Sequence, residues 1–179
     1  MNNYSLAYIG LGSNLHHPME QLAQALDSLS TLANSRHLRC AHWYRSQPIG
    51  PEGQADYINT AVSLETLLQP IDLLHKLQAI EDQQGRQRTL RWGARTLDLD
   101  LLLYDNICLD TEELQLPHPE ICNRVFVLQP LFDLAPTLLL PDGSALANQL
   151  GACNTEGLIK VQRQDHQSKA ALRKPRGIQ

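Results

Sequence analysis

Residues 96–104 read Thr-Leu-Asp-Leu-Asp-Leu-Leu-Leu-Tyr. The alternation has the period of a β-strand, and it places Leu97, Leu99, Leu101 and Leu103 on one face with Asp98 and Asp100 together on the other. Two carboxylates a side chain's breadth apart attract a cation. Hard oxygen ligands at that spacing suit one or two Mg²⁺ ions, since Mg²⁺ takes one or two carboxylates and completes its shell with water and phosphate. A strand whose solvent face happens to bear two aspartates shows the same pattern, so the flanking sequence has to decide between them.

Directly upstream, Gly85 to Arg95 holds Arg86, Arg88, Arg91 and Arg95 with no acid, and also Trp92. A cationic stretch beside a carboxylate pair offers one surface to anionic oxygens and another to a metal, the combination that phosphoryl transfer requires. The segment reads as a lid over a site, or as a solvated basic loop; its Trp92 favours the lid, because an indole left in water is costly. The net charge of −4 conceals this arrangement. Residues 1–159 carry nine basic against eighteen acidic side chains, while residues 160–179 carry six against one. A single acidic body over 1–160 and a basic tail over 161–179 are therefore expected, and the acidic body disfavours nucleic acid as a partner.

The 179 residues, 42% of them hydrophobic, suit one globular domain. No apolar run reaches the ~18 residues of a membrane helix, and Met-Asn-Asn-Tyr-Ser lacks a signal peptide's layout, so no membrane association and a cytoplasmic location are expected. The four cysteines are widely spaced and read as reduced thiols.

The element pattern predicts a strand over 6–11 ending in a Gly-Ser-Asn turn, then a helix from Pro18 to about residue 32 with Leu22, Ala25, Leu26 and Leu29 in its stripe. A strand over 38–45, a loop over 47–54 and a strand over 57–64 follow. Pro70 opens a second helix carrying Leu73, Leu74, Leu77 and Ile80, with Gly85 just past its end. The 96–104 strand closes a strand-helix-strand-strand-helix-strand order. That order predicts an α+β fold, a ferredoxin-like βαββαβ core with a mainly antiparallel sheet in a three-layer α-β-α arrangement. A helix over 125–134, a turn at Pro141-Asp142-Gly143 and a last short helix complete the reading.

Three further residues invite roles that their surroundings leave open. His118, between Pro117 and Pro119, can donate to a phosphate oxygen or a metal-bound water, although a lone histidine in a turn is more often structural. Asn59 shares a strand face with Tyr57 and can offer both a donor and an acceptor to a heterocycle edge, or can serve as a capping amide. Phe126 on the 125–134 helix is by default a core residue.

Taken together, Tyr8-Ile9-Gly10-Leu11-Gly12-Ser13-Asn14, Tyr44-Arg45-Ser46, Gln54-Ala55-Asp56-Tyr57-Ile58-Asn59, Glu81 with Gly85-Arg86, Arg91-Trp92-Gly93-Ala94-Arg95-Thr96-Leu97-Asp98-Leu99-Asp100, and Pro117-His118 through Asn123-Arg124 resemble the 6-hydroxymethyl-7,8-dihydropterin pyrophosphokinase family. The resemblance runs from about residue 4 to 150, and its most specific part is Trp-Gly-x-Arg-Thr-Leu-Asp-Leu-Asp. It implies transfer of pyrophosphate from ATP to 6-hydroxymethyl-7,8-dihydropterin, with AMP as the second product, in folate biosynthesis. It implies two Mg²⁺ ions on Asp98 and Asp100, and ATP contacts from Gln78, Glu81, Arg86, Arg95 and His118. Ser46, Tyr57, Asn59, Trp92 and Phe126 match the pterin site, and a monomer acting on these two small molecules is expected. Pro119 stands where an aromatic is common in the family, and the basic tail has no counterpart in its pattern.

Two other classes fit parts of the sequence. An Asp-x-Asp strand with Mg²⁺ can serve a nucleotidyl or glycosyl transferase, including a polymerase-like palm. A ferredoxin-like sheet with a basic tail can bind RNA, but such sheets carry aromatics on adjacent strands of one face, and the nine aromatics here are dispersed.

Overall fold

A computed structural model describes residues 3–85 and 94–162. Eight strands and four α-helices follow in chain order: β1 (Ser5–Ser13), α1 (Pro18–Ser30), β2 (Ser35–Cys40), β3 (Trp43–Ser46), β4 (Tyr57–Thr66), α2 (Pro70–Gln83), β5 (Asp98–Tyr104), β6 (Leu109–Asp110), β7 (Gln115–Leu116), α3 (Val125–Leu134), α4 (Leu146–Ala152) and β8 (Ile159–Val161). The main sheet runs β5-β1-β4-β3-β8, with β2 also paired to β4, and every pairing is antiparallel. Since β4 lies between β1 and the β2-β3 segment, this is the split β-α-β of the ferredoxin-like fold.

The two faces of the sheet build two cores, which makes the molecule three-layered. Ile9, Leu11, Val62, Leu64, Leu99 and Leu101 pack beneath Leu22, Leu26 and Leu29 of α1 and Leu73 and Leu77 of α2. On the opposite face, Tyr8, Ala61 and Leu102 meet Leu128 and Leu131 of α3 and Leu146 of α4. The helices have no cap from their own N-cap side chains. Pro18 and Pro70 instead preset the first turns of α1 and α2. Gly85, at φ 74°, takes the left-handed conformation that ends α2.

Several expectations change. The strand read over 38–45 is two strands: β2 and β3 pair with different parts of β4, and a break at Ala41-His42 separates them. The single Thr60 hydroxyl proton is shared between the carbonyls of both residues at that break, with Oγ1 at 3.3 and 3.1 Å from them, where the strand ladder is interrupted. β1 runs through Gly12 to Ser13 instead of turning there, because both residues pair with β4. The Asp-x-Asp strand starts at Asp98, two residues later than its sequence pattern suggests. β8, which adds to the edge at β3, has no counterpart in the sequence reading. Among the described residues, no helix is long and apolar enough to cross a membrane.

Candidate active site

The register across the sheet assembles the site. Gly12 of β1 is the direct partner of Asp98 on one side and of Asn59 on the other, while Gly10 pairs with Asp100. Asn59 in turn pairs with Tyr44, and Tyr57 with Ser46. Direct partners in an antiparallel ladder share a face. Asp98, Gly12 and Asn59 therefore form one row, with the end residues about 10 Å apart at the usual strand spacing. Helix α3 and the His118 turn flank this face and leave a cavity of about 300 Å³.

The cavity is lined by Ser46, Tyr57, Asn59, Arg95, Asp98, Asp100, His118 and Phe126, eight of the twelve residues singled out in the sequence. Arg86 and Trp92 lie outside the described residues. Gln78 and Glu81, on α2, are not among the lining residues. Glu81 is 1% exposed and its Oε1 accepts the Leu99 amide N–H at 2.6 Å, so it supports β5 from the side away from the cavity. Phe126, a core residue by default, is only half-buried because it sits on the first turn of α3 at the cavity wall.

Charge is concentrated at one end. Arg95 pairs directly with Asp98. Burial pulls the Arg95 guanidinium down, but the charge and hydrogen bond of Asp98, with the charges of Asp100 and Tyr57, together outweigh it and the pKa ends above its ordinary range. Burial and the neighbouring charge of Asp98 push the Asp100 carboxyl up to about 7, against the pull of Arg124 and Arg95. Two adjacent carboxylates repel one another, and a hard cation between them is the species that relieves the repulsion. No group of three or more His, Cys, Asp or Glu side chains able to hold a metal occurs among the described residues. Two carboxylates facing an open cavity fit Mg²⁺, whose other ligands come from water and phosphate, better than a metal that needs a closed protein cage.

His118 is neutral in this setting, because burial and Arg124 both lower its pKa. Its Nδ1 accepts the Glu120 amide N–H at 3.1 Å, which leaves the proton on Nε2, 4.0 Å from Asp100 Oδ2. An Nε2–H at the cavity mouth is a donor for an anionic oxygen. At the other end of the cavity, Asn59 Nδ2 donates to Ser46 Oγ at 2.9 Å, both residues being buried.

The Gly-Ser-Asn motif serves as the clasp of the site. Asn14 Oδ1 accepts the Arg95 N–H at 2.8 Å, the Asn14 N–H reaches the Arg95 carbonyl at 3.1 Å, and Nδ2 donates to the Ala55 carbonyl at 3.1 Å. Ser13 Oγ donates to the Thr96 carbonyl. The approach to β5 and the approach to β4 are thereby tied to the same residue.

Sequence reasoning missed Arg124 and Gly12 as lining residues. A signal for the first was present: Arg124 is the only Lys or Arg between Arg95 and Lys160, in an otherwise acidic stretch. For Gly12 the signal is three-dimensional, since only the register places it between Asp98 and Asn59.

Fold and site together define a two-ended small-molecule pocket, with carboxylates, arginines and a neutral histidine at one end and an amide, a hydroxyl and aromatic rings at the other. The family model for 7,8-dihydro-6-hydroxymethylpterin-pyrophosphokinase (HPPK) matches residues 8–136, and the chain belongs to this family. It is 45% identical over 155 residues to the 2-amino-4-hydroxy-6-hydroxymethyldihydropteridine pyrophosphokinase of Haemophilus influenzae, covering 87% of this chain and 97% of that one. Its identity to the protein of the same name from Pseudomonas aeruginosa is 50% over 154 residues, 86% of this chain and 95% of the relative. Among solved structures, wild-type Plasmodium falciparum HPPK-DHPS with STZ-DHP superposes with a TM-score of 0.65 at 12% identity, over 84% of this chain. That likeness carries the fold, and the chain spans 43% of the solved one.

Proposed function

We propose that the chain transfers the pyrophosphoryl group of ATP to the hydroxymethyl group of 6-hydroxymethyl-7,8-dihydropterin, giving the pterin diphosphate and AMP on the way to tetrahydrofolate. The new bond joins the hydroxymethyl oxygen to the β-phosphorus. The bond that breaks joins the β-phosphorus to the oxygen bridging to the α-phosphate, AMP leaves with that oxygen, and the hydroxyl proton is released to solvent. The observation that supports the reading is the row Asp98-Gly12-Asn59, a carboxylate and an amide on one sheet face with one bare residue between them.

Asp98 and Asp100 are the residues that hold Mg²⁺, two ions in this reading. When bound, the metal neutralises phosphate charge and makes the attacking hydroxyl more acidic. Arg95 and Arg124 draw the triphosphate into the cavity, and the Nε2–H of His118 donates to one of its oxygens. Arg86 adds to this set, as do Gln78 and Glu81 indirectly, through the helix that backs β5. Tyr57 and Phe126 stack on the flat ring while Asn59 and Ser46 read its edge. Catalysis is then chiefly positioning and charge stabilisation, with no covalent step on the protein.

The test is product analysis with Mg²⁺, ATP and the reduced pterin alcohol. Pterin-dependent AMP supports the reading. ADP, or turnover that ignores the pterin, points to another transferase class on the same carboxylate pair.

A further inference from the structure

Gly12 is the penultimate residue of β1, paired with a strand on each side, and it is absent from the glycines with positive φ, so its backbone accepts an L side chain without strain. Glycine weakens a strand, and its presence there calls for another reason. The reason is space on one side only. A Cβ built at Gly12 lies 3.1 Å from Asn59 Oδ1 and 3.8 Å from Tyr57 Cδ1, with no further contact within 4 Å among the described residues, although Asp98 is its direct partner on the opposite strand. Gly10, which also lines the cavity, differs in its neighbour: its Cβ would meet the apolar Leu102 side chain at 3.3 Å and no polar group of the site.

We propose that Gly12 is a specificity-determining residue, whose bare backbone keeps open the slot between the carboxylate pair and the Asn59 amide where the reacting edge of a flat heterocycle lies. The inference rests on the function proposed above. Asn59 is 5% exposed and its Nδ2 is already committed to Ser46 Oγ at 2.9 Å. A methyl group at position 12 therefore displaces the amide from a setting in which it has little room to turn. The displaced amide no longer lines up with the ring edge, so the heterocycle bears the loss. The carboxylates and arginines are untouched by the same methyl group, and nucleotide binding is spared.

The experiment measures two affinities for Gly12→Ala: a Mg²⁺-loaded, non-hydrolysable ATP analogue, then 6-hydroxymethylpterin added to that complex. The expected result is nucleotide affinity within about threefold of wild type and pterin affinity weaker by about tenfold or more. In an Asn59→Ala background, which lacks Oδ1, the alanine at position 12 should weaken pterin binding by less than about threefold, a non-additivity that a direct contact requires. Unchanged pterin affinity, equal loss of both ligands, or strict additivity with Asn59→Ala overturns the inference. Should the single variant fail to fold, the double variant still decides, since relief of the contact predicts that it folds and binds nucleotide, and its failure to do so overturns the inference. Wild-type protein that binds no pterin defeats the functional reading itself, whereas an active wild type beside an unaltered Gly12→Ala defeats only the role of Gly12.

Discussion

Glu81 reaches from α2 to the outer edge of β5 and accepts the Leu99 N–H at 2.6 Å, at the position between Asp98 and Asp100. β5 ends the sheet, so alternate amides along it have no neighbouring strand. A buried carboxylate satisfies the one that separates the two site aspartates, and its charge adds to the upward pressure on the Asp100 pKa. Removing the acceptor leaves a buried N–H unsatisfied. Glu81→Ala should lower unfolding free energy by about 1–3 kcal/mol, and Glu81→Gln, whose amide oxygen still accepts, by less. Urea denaturation checks the order; equal stability of all three chains contradicts it.

Asp98→Ala and Asp100→Ala should each reduce turnover by about two orders of magnitude or more while the fold survives, because each removes a metal ligand from a side chain at the cavity surface. Mn²⁺ binding followed by electron paramagnetic resonance, with an ATP analogue present, reports the loss without reference to activity. Full Mn²⁺ affinity in both variants refutes the metal assignment.

Asn14 makes three hydrogen bonds that join Arg95 to the Ala55 segment. Two of them use its side chain, and Asn14→Ala should cost about 2 kcal/mol or more of stability. It should also raise KM for both substrates, since one residue holds the approaches to both ends of the cavity. Asn14→Asp retains the Oδ1 acceptor for the Arg95 N–H and loses the donor to Ala55, so it should fall between. A defect confined to one substrate would show that the clasp serves only one end.

Tyr44 of β3 donates from its hydroxyl to Asp133 Oδ2 at 2.8 Å, joining the sheet to α3. Burial, and then the Asp133 carboxylate, push its pKa up to about 12 from 10.0. A folded-state pKa above the unfolded one means that the neutral phenol's contribution is whole below pH 10 and is lost as pH rises through 12. Tyr44→Phe should therefore be less stable than wild type at pH 8–9 by about 1–2 kcal/mol, with the gap closing as pH approaches 12. A gap that persists unchanged across that window contradicts the bond.

Much of this was legible in sequence where one local pattern dominates. The Leu-Asp alternation of β5 and the stripes of α1 and α2 state their own geometry, and their order leads to the ferredoxin-like arrangement. Legibility failed where structure depends on a distant partner. Residues 38–45 alternate well enough for one strand, yet β4 splits them, with Thr60 supplying the hydrogen bonds at the break. β8 exists because β3 leaves an edge to cover, and Ile159–Val161 is too short to announce itself.

The site divides in the same way. Asp98 and Asp100 are two apart in sequence, so their proximity follows from strand period alone. The juxtaposition of Asp98 with Asn59 spans 39 residues and follows only from the register of β1 between its neighbours. Glu81 illustrates the limit: its position in the chain matched an ATP-contacting helix residue, while its side chain faces the Leu99 amide of β5.

Attack at the β-phosphorus by a pterin hydroxyl is read most directly from the nucleotide product formed from ATP. With Mg²⁺ and 6-hydroxymethyl-7,8-dihydropterin present, AMP should form in equal amount to the pterin diphosphate, and none without the pterin. Formation of ADP, or of AMP at the same rate when the pterin is omitted, would contradict it.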